Sequence, residues 1–115
     1  ADFGPFERLG DVHGRLGAVS PSRAEQYAAA AFQDYSAAIE RYPGSGRLHY
    51  KRALAAEALE RPGQALADYR AAVEIEQAYR RQFRVMYPGR EVFSRLGEEK
   101  YARAQRRIEQ LSSQE

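Results

Sequence analysis

Two histidines, His13 and His49, sixteen carboxylates and no cysteine make up the reactive repertoire of this 115-residue chain. The absence of cysteine removes disulfides, thiolate metal sites and thiol nucleophiles together. The remaining groups match no catalytic spacing: HExxH, GxSxG and the Gly-rich phosphate loop ending in Lys are all missing. Two histidines without a cysteine are too few for a metal centre. Asp2-Phe3-Gly4 has the letters of a magnesium-holding triplet from phosphoryl-transfer enzymes, but no glycine-rich or catalytic-loop motif accompanies it. Gly44-Ser45-Gly46 lacks the strand before and the third glycine that a dinucleotide loop needs. Catalysis, a small-molecule substrate, a cofactor and a metal are therefore not expected.

What remains is recognition by charge and shape. Eighteen Lys and Arg stand against sixteen Asp and Glu, a net charge of +2, and all the cations but Lys51 and Lys100 are arginine. The balance is uneven: residues 1–77 carry 9 cations against 11 acids, and residues 78–115 carry 9 against 5. Residues 78–90 hold four arginines and no acid, interleaved with Tyr79, Phe83 and Tyr87. Arg80, Arg81 and Arg84 are thus candidates for binding anions, either lipid headgroups or a phosphate backbone. The same residues sit at a predicted helix end, where cations favour the dipole, and Glu91, Glu98 and Glu99 are near enough in sequence to pair with them. A net charge of only +2 makes nucleic acid the less expected of these partners.

The elements that must position these groups read as helices. Apolar residues recur at intervals of three and four, alanine is abundant, and no stretch alternates with β-branched residues. Mean hydropathy is −0.70, and no apolar run approaches the roughly 18 residues of a membrane span. The chain opens on Ala1, which reads as a mature or excised fragment. Pro and Gly breaks predict five helices, near 3–17, 22–42, 46–60, 62–86 and 94–111. The fourth is long because no breaker interrupts its stripe before Pro88-Gly89. In the last, Val92, Phe93, Leu96, Tyr101, Ala104, Ile108 and Leu111 are expected to face inward.

An internal repeat organises these helices. AFQDYSAAIE at 31–40 matches ALADYRAAVE at 65–74, pairing Ala31 with Ala65, Asp34 with Asp68, Tyr35 with Tyr69 and Ala38 with Ala72, an offset of 65 − 31 = 34. The period and the small–aromatic–small–Pro order, with Pro43 closing the first copy, resemble the tetratricopeptide repeat family. Upstream, Phe6, Leu9, Gly10 and His13 have the spacing of that family's first-helix signature. His49, Arg52, Ala53 and Ala56 are the weaker counterparts. The resemblance implies an all-α fold: a short α-solenoid of two helical hairpins plus a C-terminal capping helix, in one domain spanning 1–115. Repeat one would occupy about 3–45, with a loop inserted near 18–26, repeat two about 46–79, and the helix extension and cap about 80–111. Two repeats and a cap are short for such an array, so self-association or a neighbouring segment would supply the third unit.

The same resemblance implies a concave groove that holds a peptide or a helix. Its facing positions fall on Glu7 and Asp11 in the first repeat and on Arg47, Tyr50, Lys51 and Leu54 in the second. Glu7 and Asp11 stand where one subfamily uses Lys and Asn to grip a terminal carboxylate, so that ligand is excluded by charge. A mixed-charge segment anchored at Tyr50 is the expected partner. His13 and His49 fall at positions filled by packing aromatics. The tail from Ala78 to Ala104 is similar to tails of tetratricopeptide segments that follow bacterial O-antigen ligase-like membrane proteins. That likeness implies a structural appendage of a larger, membrane-anchored protein, with any membrane contact made by another part of the chain. Bacterial cytoplasm and the extracytoplasmic side of such a protein both remain open.

Overall fold

In a computed structural model, which describes residues 4–114, the chain folds into five α-helices joined by short turns, save for a longer connection over 87–97 between the last two. They are α1 (Pro5–Val19), α2 (Ala24–Arg41), α3 (Gly46–Ala58), α4 (Pro62–Met86) and α5 (Glu98–Ser112). Among the described residues there is no strand, and no helix is long and apolar enough to cross a membrane. Asp2 and Phe3, and with them the expected start of the first repeat, lie outside the described residues.

The starts of the helices follow local chemistry. Pro5 and Pro62 open α1 and α4, where a missing N–H costs nothing. Ser45 caps α3, its hydroxyl accepting the Leu48 N–H at 3.2 Å. Each helix packs on the next. Contacts such as Asp11–Tyr35 with Gly17–Tyr27, and Arg52–Asp68 with Gly46–Ala72, step in opposite directions, so the neighbours run antiparallel.

Two apolar clusters fill the space between the helices. One lies among α1, α2 and α3, around Tyr35, Ala38, Ile39 and Leu48. The other lies among α3, α4 and α5, around Tyr50, Ala53, Tyr69, Ala72, Ala104 and Leu111. Phe32 packs against both. Ala38 and Ala72, equivalent across the repeat, are fully buried. Gly10 is the closest approach: a Cβ there would stand 2.6 Å from the Tyr35 ring, which only glycine avoids.

Two expectations are corrected. No loop is inserted near 18–26: α1 runs on to Val19, a single 3-10 turn at Pro21–Arg23 follows, and α2 starts at Ala24. The additional residues lengthen α1 and α2 instead, because helix satisfies their backbone groups where a loop would leave them to water. The last helix begins at Glu98 rather than near 94, and Phe93 is 75% exposed rather than facing inward. The cause is Glu76 of α4. Its buried carboxylate accepts the Ser94 hydroxyl at 2.6 Å and the Leu96 N–H at 3.0 Å. These bonds hold 94–96 in a non-helical connection, and Gly97 at φ 101 turns the chain into α5.

Candidate functional site

The expected groove residues are brought together, but mostly onto one another. Glu7 of α1 is buried; Arg47 Nη2 donates to its Oε1 at 2.9 Å and Lys51 Nζ to its Oε2 at 2.6 Å. Lys51 also donates to Asp11 at 3.1 Å, and the Tyr35 hydroxyl donates to Asp11 at 2.6 Å. The negative wall anticipated from Glu7 and Asp11 is therefore neutralised from α3. Burial first, then the adjacent Asp11 carboxylate, push the Tyr35 phenol far above its ordinary pKa, so it stays a donor.

Tyr50 is the second correction to the site. It is 5% exposed, and its ring meets Tyr69 edge-on at 5.8 Å, so it forms a wall and is not an open anchor. The reason is that α3 is buried on several faces, with Leu48, Ala53, Ala55 and Ala56 all inside. Leu54, at 37% exposed, is the expected site residue whose side chain does remain open.

A second polar tie repeats the first two helices further along. The Tyr69 hydroxyl donates to Glu57 of α3, and Arg107 of α5 donates to the same carboxylate. Burial alone would raise the Glu57 pKa, but the bonds from Arg107 and Tyr69 outweigh it and hold the carboxyl below its ordinary range. Asp68 is held down likewise: burial opposes, and His49, Arg52 and Gln64 prevail. Arg52 reaches it in a fork, at 2.9 and 2.8 Å. His49 Nδ1 is 3.5 Å from Asp68, and His13 Nδ1 is 2.6 Å from Asp34 with its ring stacked on Tyr27. Both histidines thus belong to helix–helix contacts. Among the described residues no three His, Cys, Asp or Glu side chains converge on a metal position.

Between these ties lies an apolar groove of about 610 Å³. Gly14 and Ala18 of α1 form one wall, Ala24, Ala28 and Ala31 of α2 the floor, and Tyr50, Leu54 and Ala58 of α3 the other wall. Lys51, Arg15 and Lys100 stand at its edge. Arg15 and Lys100 are exposed and form no ion pair among the described residues. Arg15, Lys100 and the alanine floor escape a reading by charge and aromatic anchors. The signal available for them is the run of small residues at 24, 28 and 31, which looks like ordinary packing. A further cleft of about 530 Å³, between Tyr42, Arg47, Tyr79 and Arg95, has its carboxylate, Glu76, already committed to Arg80 and Ser94.

No protein-family model, curated protein or solved structure matches the chain. The functional reading rests on its own residues.

The anion-binding candidates part company. Arg80 donates to Glu76 and to Glu98, each at 2.8 Å, and its guanidinium lies 4.2 Å from the Tyr101 ring centroid. It is a structural tie between α4 and α5. Arg81 and Arg84 are exposed, without ion pairs among the described residues.

Proposed function

We propose that this chain is a non-catalytic protein-interaction module of the tetratricopeptide type, in which two helical hairpins and a final helix form a short solenoid. The groove receives an extended peptide or a helix. The observation that carries this reading is the groove itself: an open apolar trough of small residues, with Leu54 exposed on one wall. Small side chains leave room for a partner's larger ones, and such concave apolar sites are where partners bury area. With Glu7 and Asp11 neutralised, the uncompensated charge at the edge is that of Arg15 and Lys100, so the partner is acidic beside its apolar residues rather than of mixed charge.

The test is selection of a random-peptide display library on the intact chain, with affinities then measured by fluorescence anisotropy. Selected peptides should combine apolar and acidic residues, and Leu54→Asp or Ala58→Trp should weaken them at least roughly tenfold without altering helix content. A library that yields nothing, or peptides indifferent to both substitutions, sinks the groove.

One observation favours a second reading, a structural appendage of a longer protein. Leu9, Val12, Leu16 and Val19 form an apolar stripe on α1 that is 36–75% exposed, while Tyr50, Arg47 and Lys51 are engaged within the chain. In that reading α1 meets an adjoining segment or a second copy, and the groove carries no free ligand.

A further inference from the structure

α4 outruns the helices beside it. α5 begins at Glu98, which is tied to Arg80, so the last turn and a half of α4 stands clear of that pairing, and the connection after it folds back along α4 until Ser94 meets Glu76 and Arg95 meets Tyr79. On this projecting end Val85 is 79% and Met86 58% exposed, and on the returning connection Phe93, beside Tyr79, is 75% exposed. Residues 81–97 carry Arg81, Arg84, Arg90 and Arg95 against one acid, Glu91. None of the four arginines is ion-paired among the described residues; Arg90 and Arg95 lie over the rings of Tyr87 and Tyr79.

A favourable helix dipole accounts for Arg84 in the last turn but not for an exposed Phe93, three residues before the buried Leu96. Apolar side chains standing among unpaired arginines suit an interface where one layer is hydrocarbon and the next is anionic. A phosphate backbone would use the arginines and leave Val85, Met86 and Phe93 in water. We propose that the projecting end of α4 and the connection after it dock on an anionic lipid surface, with Phe93, Val85 and Met86 entering the headgroup layer and Arg81, Arg84, Arg90 and Arg95 meeting lipid phosphates. This site is separate from the groove and independent of the reading given to it.

The experiment is sedimentation of the intact chain with vesicles of phosphatidylcholine alone and of phosphatidylcholine mixed with phosphatidylglycerol. Binding is expected only to the mixed vesicles, and should weaken steeply as salt rises. Arg81→Glu with Arg84→Glu should lower the partition coefficient roughly tenfold or more, and Val85→Asp with Phe93→Asp should do the same. Arg23→Glu with Arg41→Glu, which changes net charge equally at exposed positions elsewhere, should leave it within about twofold. Because the chain has no tryptophan, Phe93→Trp gives a single reporter, whose emission should shift to the blue on mixed vesicles. No binding to mixed vesicles at low salt overturns the proposal, as does an unshifted emission or an equal loss in the control variant. Binding of a DNA duplex without binding of vesicles overturns it in favour of nucleic acid.

Discussion

Tyr35 and Tyr69, thirty-four residues apart, are held by the same polar logic and packed by different means. Each phenol donates to a carboxylate on the preceding helix, and each carboxylate takes a cation from the helix after: Tyr35–Asp11–Lys51 in the first case, Tyr69–Glu57–Arg107 in the second. Around Tyr35 the space is closed by backbone, because Gly10 lets α1 come against the ring. Around Tyr69 it is closed by Tyr50 and the small Ala53. Both tyrosines lie between two helices, α1 and α3 about Tyr35 and α3 and α5 about Tyr69, but the outer face of α1 leaves an apolar stripe open. The polar wiring is what repeats, and the packing is free to differ so long as the volume is filled.

The largest test of this contrast is truncation. Tyr69→Ala should cost roughly 3–5 kcal/mol, and Tyr35→Ala should cost less, because α1 has a free outer face and can settle into the gap. Urea denaturation of both variants checks the order, and equal losses would mean that the two sites are equally confined.

Overpacking comes next. Gly10→Leu and Ala53→Leu should each cost about 1–3 kcal/mol, seen as lower denaturation midpoints. Gly10→Ala should already be destabilising, since its one added carbon falls on the Tyr35 ring, whereas Ala53→Gly leaves a gap without a clash.

The smallest effect separates the sites by pH. Glu57, Asp68 and Glu76 all titrate below their ordinary values in the folded chain, because their hydrogen-bond donors and cations outweigh burial. A depressed folded pKa contributes stability that is present above the unfolded value, near 4, and is lost as pH falls through the folded one. All three carboxylates lie on α3 and α4. Acid melts should therefore lose stability below about pH 4, and Asp68→Asn or Glu76→Gln should flatten that limb. At the other extreme, burial and the Glu57 carboxylate raise Tyr69, so stability is full below the unfolded phenol pKa, about 10, and declines above it. An acid limb unchanged in both variants would place its origin outside this cluster.

Much of this architecture is legible in the residues. The uninterrupted stripe after Pro62 leads to α4 at its observed bounds, and the 34-residue offset leads to the burial of Ala38 and Ala72. Periodicity fails where a distant partner decides. Nothing local to 94–96 reveals that Glu76, about eighteen residues earlier, holds those groups out of helix. Tyr50 reads as an open aromatic because one helix's pattern does not tell how many neighbours it has, and α3 has them on several sides. Glu7, Asp11, Arg47 and Lys51 are visible as charges on two helices. That they cancel one another follows only once α1 and α3 lie side by side.

Phe32 has a thermodynamic consequence that neither apolar cluster has alone. Its ring belongs to both, and the guanidiniums of Arg52 and Arg61 lie over it at 5.4 and 5.7 Å. Where two packed clusters share a side chain, the coupling between them decides whether melting is all-or-none or sequential. Here part of that coupling passes through Phe32 and its two cations, beside the ion pairs of Arg47 and Lys51 with Glu7 and Asp11. The energy that keeps the first hairpin folded is thus partly stored in the second, and loss of Phe32 would weaken, without abolishing, the cooperativity of the chain.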